Sequence, residues 1–258
     1  MRGQTSVPIP RYFVHLAYRG THYRGWQRQS GSVPTVQQTI EAAGTQVKTT
    51  GQAGGPFRVV GCGRTDAGVH ASDYYLHFDT DGGGPLRENW LGIMNRMLPE
   101  DIVLYRVWQV DPSAHTRYDA RARTYDYYLH TRPDPFRGLI STPYEGKPLD
   151  VGAIEESLEV LTGQQDFRAF CLTPDRHNTT TCDLRQASFH VEGADGYRFR
   201  FVADRFLRGM IRILVYQLLR VGRGEVTVAQ LATALASGER PGVGQAPPQG
   251  LFLSEVRY

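Results

Sequence analysis

The stretch Gly61-Cys62-Gly63-Arg64-Thr65-Asp66-Ala67-Gly68-Val69-His70-Ala71 lies between two short apolar runs, Phe57–Val60 and Tyr74–Phe78. Both runs read as strands. Glycine lets a backbone take positive φ and pack closely against another body. A strand, a glycine-rich loop and a second strand therefore present Arg64 and Asp66 from a tight, defined turn. Aspartate and glycine are also the commonest residues of an ordinary hairpin turn. On chemistry alone the two readings are level.

Working outward, Arg11–Tyr18 alternates in hydrophobicity and predicts a strand. A polar loop follows, with Arg24 and Arg28 interleaved with Tyr23 and Trp26. Basic residues among aromatics suit single-stranded RNA; a loop anchored to the core by Trp26 fits the same residues slightly better. Thr35 and Gln38 have the spacing of a capping box before a helix whose apolar face holds Val36, Ile40, Ala43 and Val47. After the glycine loop, Asp81–Pro85 predicts a flexible turn, Leu86–Met97 a second helix and Ile102–Val107 a strand. That order, βαββαβ, is the ferredoxin-like unit, an antiparallel sheet with two helices on one face.

The order then begins again. Thr124–His130 is a tyrosine-rich strand, Pro133–Pro148 an irregular loop, and Asp150–Leu161 a helix that Asp150 can cap. Leu184–Val191 and Tyr197–Ala203 predict strands, Arg205–Val221 a long apolar helix capped by Asp204, Thr227–Ala236 an extra helix and Leu251–Arg257 a last strand. The expected fold class is α+β, in two halves, 1–112 and 113–258. On a wheel of 100° per residue, Arg205, Arg208, Arg212, Tyr216 and Arg220 fall within roughly 120°. A helix so apolar elsewhere is buried, and a buried arginine needs an anion. RNA phosphate and a carboxylate such as Asp66 are the two candidates; the alternative is that the arginines snorkel to solvent, which suits Arg220 at the helix end better than Arg212.

The chain has 258 residues, 40% hydrophobic and 21% charged, the balance of a globular protein. No apolar run approaches the roughly 20 residues that span a bilayer, and Met1–Pro8 has no apolar signal core. Three cysteines, Cys62, Cys171 and Cys182, lack metal-ligand spacing and fit reduced thiols in a cytoplasmic protein. The net charge is only +3, yet the cations are 27 Arg and two Lys. Arginine grips phosphate bidentately, although GC-rich codons would give the same bias. Position says more. From Arg198 to Arg223 there are seven arginines against one acid, Asp204, a local field that attracts a polyanion.

Gly63 through Ala71 resembles the signature loop of the tRNA pseudouridine synthase A family, whose aspartate is catalytic. Further stretches resemble that family in its order: Gly25-Trp26-Gln27-Arg28-Gln29, Val36-Gln37, Ala122-Arg123-Thr124-Tyr125-Asp126-Tyr127, Asp166-Phe167-Arg168-Ala169-Phe170, Phe206 through Met210-Ile211-Arg212, and Ala246-Pro247-Pro248-Gln249-Gly250-Leu251-Phe252-Leu253. The chain departs from the family's helix pattern at Arg208-Gly209, where histidines are usual, and at Ile211, where valine is. The resemblance implies two ferredoxin-like halves with joined antiparallel sheets and a basic catalytic cleft between them. It implies a homodimer that binds tRNA and isomerises uridine to pseudouridine at positions 38, 39 and 40 of the anticodon stem-loop, with no cofactor and no required metal. Asp66 is then the catalytic carboxylate, Arg212 its ion-pair partner and Tyr125 the ring that stacks on uracil. Arg64, Arg24, Arg28, His70, Arg205, Arg208 and Leu251 are expected to line the substrate site, with a structural role favoured for His70.

Two other functions fit parts of the sequence. Two such halves rich in arginine and aromatics would suit a non-catalytic RNA-binding protein, although binding does not require Asp66, whose charge repels phosphate. A metallohydrolase could use Asp66, His70 and His77, but their spacing matches no usual ligand motif.

Overall fold

The computed structural model describes residues 9–47, 56–80 and 86–258. It divides into two compact units, Met1–Ala120 with Tyr258, and Arg121–Arg257. The division falls after Ala120 rather than after 112. The turn expected at Asp81–Pro85 lies outside the described residues.

The first unit runs β1 (Arg11–Tyr18), α1 (Val36–Val47), β2 (Val60–Gly61), β3 (His70–Asp79), α2 (Trp90–Met97) and β4 (Ile102–Val110). β1 is antiparallel to both β3 and β4, with Val14 opposite Leu76 on one side and Val107 on the other; β2 pairs with β3. Alternation sorts the side chains. Tyr12, Val14, Leu16 and Tyr18 share a buried face with Tyr74, Leu76 and Phe78, and Trp90 of α2 stacks on Phe78 at 5.2 Å. Thr35 and Gln38 cap α1 reciprocally: each side-chain oxygen accepts the other's backbone N–H at 3.2 Å, as their spacing predicts.

Phe57–Val60 does not form the expected strand; only Val60 enters one. The reason lies in where the backbone donors go. Phe57 N–H donates to Thr45 Oγ1 and Val59 N–H to Glu41 Oε1, both on α1, and the Phe57 ring packs so close to Gly44 that a Cβ there would lie 2.1 Å from it. The segment is a wedge under the helix, not a rung of the sheet. The second helix starts at Trp90 rather than Leu86, after a turn in which Trp90 N–H reaches Arg87 O.

The second unit runs β5 (Ala122–His130), β6 (Thr142–Pro143), α3 (Val151–Leu161), β7 (Gly163–Asp166), β8 (Thr181–Glu192), β9 (Gly196–Ala203), α4 (Met210–Gly222), α5 (Val228–Ser237) and β10 (Leu251–Arg257). Its strands lie in the order β10-β5-β9-β8-β7, all antiparallel, with β6 parallel to β5. The two short strands β6 and β7 lack the alternation that would have announced them. Asp150 caps α3 by accepting the Ala153 N–H, and Thr227 and Gln230 form a capping box on α5.

α4 corrects an expectation. It begins at Met210, not Arg205, because Gly209 takes φ +71°, a left-handed conformation that interrupts a helix. Asp204 caps no helix; its Oδ1 accepts the N–H groups of Asp183 and Arg205. Arg205 and Arg208 therefore leave the helical stripe, which keeps Arg212, Tyr216 and Arg220. The helix is otherwise buried, including Gln217, whose amide donates to Gly242 O. All three cysteines are buried in the core, Cys62 in the first unit and Cys171 and Cys182 in the second.

In the first unit His77 is buried, with Nδ1 accepting the Thr116 N–H at 3.3 Å. Burial first, and then the charge of Arg11, lower its pKa to about 4. The unfolded histidine protonates near 6.5. Between those values the unfolded chain holds the extra proton. Stability is therefore full above about 6.5 and declines as pH falls towards 4. A proton NMR titration is expected to place the His77 midpoint near 4, and His77→Asn to flatten the fall of melting temperature across that window. A midpoint near 6.5 would refute the assignment.

Candidate active site

The loop from Gly61 to His70 is held from below by rings and from the side by backbone. Tyr18 at the end of β1, Tyr74 on β3 and Trp26 from the 19–29 loop form a cluster, with Trp26 and Tyr74 at 4.2 Å between centroids. Gly61 crosses directly over it; a Cβ there would come within 2.1 Å of the Tyr74 hydroxyl. Tyr74 Oη donates to Gly63 O at 2.6 Å, and Tyr18 Oη shares a 2.8 Å hydrogen bond with Thr65 Oγ1. Thr65 O also accepts the Trp26 N–H. Gly25, at φ +82°, brings its backbone so near that a Cβ would stand 2.3 Å from Thr65 O. Gly68 turns at φ +77°, and its N–H donates to Tyr23 O. The loop around Asp66 is thus fixed at Gly63, Thr65 and Gly68.

Asp66 itself is partly exposed at the apex, and its carbonyl closes a turn with the Val69 N–H. Arg64 is exposed beside it, steadied by a 3.1 Å hydrogen bond from Nε to Gln27 Oε1. Arg24 is exposed on the bracing loop. The other two expected residues of this unit have work inside the protein. His70 is 1% exposed and its Nδ1 accepts the Gly20 N–H, a bond that joins β3 to the bracing loop. Arg28 forms an ion pair with Glu41, which is 2% exposed and also takes Arg58 at 3.3 Å and the Val59 N–H. Its guanidinium is committed to a buried carboxylate that would otherwise be uncompensated. His77, whose ring faces Thr116, is not brought to Asp66 as a third ligand, and among the described residues no group of three or more His, Cys, Asp or Glu side chains could hold a metal ion.

In the second unit Tyr125 lies on β5, buried, with its ring edge-on to Phe206 at 5.1 Å. Leu251 opens β10 opposite Tyr127, and Leu253 is opposite Tyr125, so these side chains share the helix-covered face. Arg212, in the first turn of α4, donates from Nε to Ala246 O at 2.7 Å, while Ala246 N–H returns to Arg212 O. The Tyr127 hydroxyl reaches Pro247 O and Thr142 Oγ1, both at 2.8 Å. Burial pushes its pKa up, opposed by the Thr142 hydrogen bond and the Arg212 charge. The Ala246–Leu251 segment is thereby tied to both the arginine and the tyrosine strand. Arg205 is half-buried and Arg208 exposed on the turn before the helix.

Sequence reasoning passed over Tyr18, Thr65 and Tyr74. Their strand or loop positions were legible, but nothing local says that a hydroxyl at 18 meets one at 65.

A braced, glycine-built loop carrying one carboxylate and an exposed arginine, on an α+β scaffold, defines a protein with a preformed acidic site. Its sequence matches the tRNA pseudouridine synthase family over residues 15–119 and 158–258. The tRNA pseudouridine synthase A of Parabacteroides distasonis is 39% identical over 249 residues, 96% of each chain. That of Bacteroides fragilis is 38% identical over 253 residues, 98% of each, and that of Chlorobaculum tepidum 37% over 247, 95% of this chain and 96% of the other. The chain belongs to the tRNA pseudouridine synthase family.

Removing Arg28 leaves Arg58, at 3.3 Å, as the cation against Glu41, beside the neutral donors Val59 N–H and Gln37 Nε2. Arg28→Ala is expected to destabilise the protein by about 1–3 kcal/mol in urea unfolding at neutral pH. Adding Glu41→Gln, which removes the buried charge, is expected to recover part of that loss. Equal stability of Arg28→Ala and wild type would show the pair to be idle.

Proposed function

We propose that this protein isomerises uridine to pseudouridine at positions 38, 39 and 40 of the tRNA anticodon stem-loop. The observation that carries the reading is Asp66, an accessible carboxylate on a loop fixed on both sides, within a chain that belongs to the tRNA pseudouridine synthase family. In support of the fold implied for that function, the strand orders β4-β1-β3-β2 and β10-β5-β9-β8 are each the 4-1-3-2 arrangement of a ferredoxin-like half. We place the protein in the cytoplasm as a homodimer; no helix among the described residues is long and apolar enough to cross a membrane.

The reaction breaks the C1′–N1 bond, turns the uracil and rejoins it through C5. The C5 proton is lost and N1 gains one, so composition and oxidation state are unchanged and no redox cofactor is called for. An ionised carboxylate serves as the nucleophile at C1′ or as the base at C2′. Either role needs Asp66 charged in a pocket closed by the substrate, where desolvation favours the neutral acid. Arg212 is the proposed cation that opposes this. Tyr125 stacks on the uracil, and Leu251 gives the pocket an apolar wall. Extruding the nucleotide costs a few kcal/mol. Contacts from Arg64, Arg24, Arg205 and Arg208 to phosphate, about 1.5–3 kcal/mol each when charge-assisted, offset it.

The test is pseudouridine mapping on an unmodified tRNA transcript with wild-type protein and with Asp66→Ala, without added metal or cofactor. Wild type is expected to give signal in the anticodon stem-loop. Asp66→Ala is expected to give none, with tRNA affinity within roughly threefold of wild type. Signal from both proteins would remove Asp66 from its role. Tight binding without signal from wild type would favour a non-catalytic RNA-binding protein.

A further inference from the structure

Thr65 precedes Asp66 and is 8% exposed; Tyr18 is 4% exposed, and their hydroxyls meet at 2.8 Å. Phenylalanine and valine would fill the same space. What the hydroxyls add is direction: a sealed polar pair has one satisfied geometry and no water to substitute for it. The Tyr18 ring is itself set by Trp26 at 6.0 Å and by Tyr74 at 5.4 Å. Its neighbour across the sheet, Tyr74, holds Gly63 O in the same manner. The two tyrosine hydroxyls, from adjacent strands and one face, thus grip the loop two residues apart, and Tyr18 grips the residue bonded to Asp66.

We propose that the Tyr18–Thr65 hydroxyl pair sets the direction of the Asp66 carboxylate, with Tyr18 a positioning residue that touches no substrate. The inference rests on the catalytic reading of Asp66 given above. A carboxylate that must meet C1′ or C2′ at near-attack distance is sensitive to displacements well under 1 Å. Backbone contacts at Thr65 O fix where the loop lies. The Oγ1 contact adds a side-chain anchor to those backbone contacts, at the residue bonded to Asp66. Binding of tRNA draws on arginines elsewhere and does not depend on this anchor.

The experiment measures single-turnover pseudouridine formation with enzyme in excess over a tRNA transcript, alongside the tRNA Kd and the melting temperature. The variants are Tyr18→Phe, Thr65→Val, Thr65→Ser and the Tyr18→Phe, Thr65→Val pair, with Asp66→Ala as reference. Losing one hydrogen bond that orients the reacting group is expected to slow the step roughly tenfold in Tyr18→Phe and in Thr65→Val, with Kd within about twofold. Thr65→Ser, which keeps the hydroxyl, is expected to return most of the rate. The double variant is expected to be no slower than either single one, because both remove the same contact. An unaltered rate in Tyr18→Phe, losses that multiply in the double variant, or a rise in Kd that accounts for the slowing would overturn the proposal. If wild type is active and Asp66→Ala is not, such a result bears on the hydroxyl pair alone. An inactive wild type, or an active Asp66→Ala, overturns both readings.

Discussion

The contact between Trp26 and Tyr74, 4.2 Å between ring centroids, is the constraint on which the first unit's working surface depends. Trp26 comes from a loop and Tyr74 from the middle of the sheet, so their tilted ring contact welds irregular chain to regular scaffold. Aromatic pairs of this kind contribute about 0.5–1.5 kcal/mol beyond the area they bury. Their larger effect is geometric. Gly61 must cross over the rings because no side chain fits, Gly25 must approach Thr65 for the same reason, and the glycine loop follows the path left to it. Flexible residues are thereby held rigid by their surroundings.

Much of this was legible in the sequence, and the part that was not has a common cause. The capping pair Thr35–Gln38 was readable because a cap is decided within four residues. The order of the longer strands and of the helices followed from periodicity, while the short β6 and β7 did not. Asp204 misled because it has the composition of a cap but spends its oxygen on Asp183, a strand away, while Gly209 starts the helix. Phe57–Val60 misled because its donors are taken by Thr45 and Glu41 of α1. Asp66 and Arg64 stood out as a motif. The braces at Tyr18 and Tyr74 did not, since they join positions far apart in the chain and leave no local trace.

The arginines show the same limit. Counted along the chain they make an electropositive field from 198 to 223. In the fold, Arg198 lies 2.8 Å from Glu192, Arg200 3.6 Å from the buried Asp126, and Arg223 2.6 Å from Glu225. These charges serve the sheet and a helix end; the pairs with Glu192 and Glu225 are exposed on the acidic side and add little stability. The count of arginines along the chain therefore overstates the field.

The three buried thiols make each unit a reporter of its own opening. Cys62 lies at 0% exposure in the glycine loop, and Cys182, whose pKa burial pushes up to about 12, sits with Cys171 in the other unit. A thiol reagent attacks the thiolate, and only where it can reach. Modification at Cys62 would thus time the breathing of the loop that carries Asp66, and modification at Cys171 or Cys182 the breathing of the second core. Native-state thiol exchange would read two local clocks in one molecule without any added label.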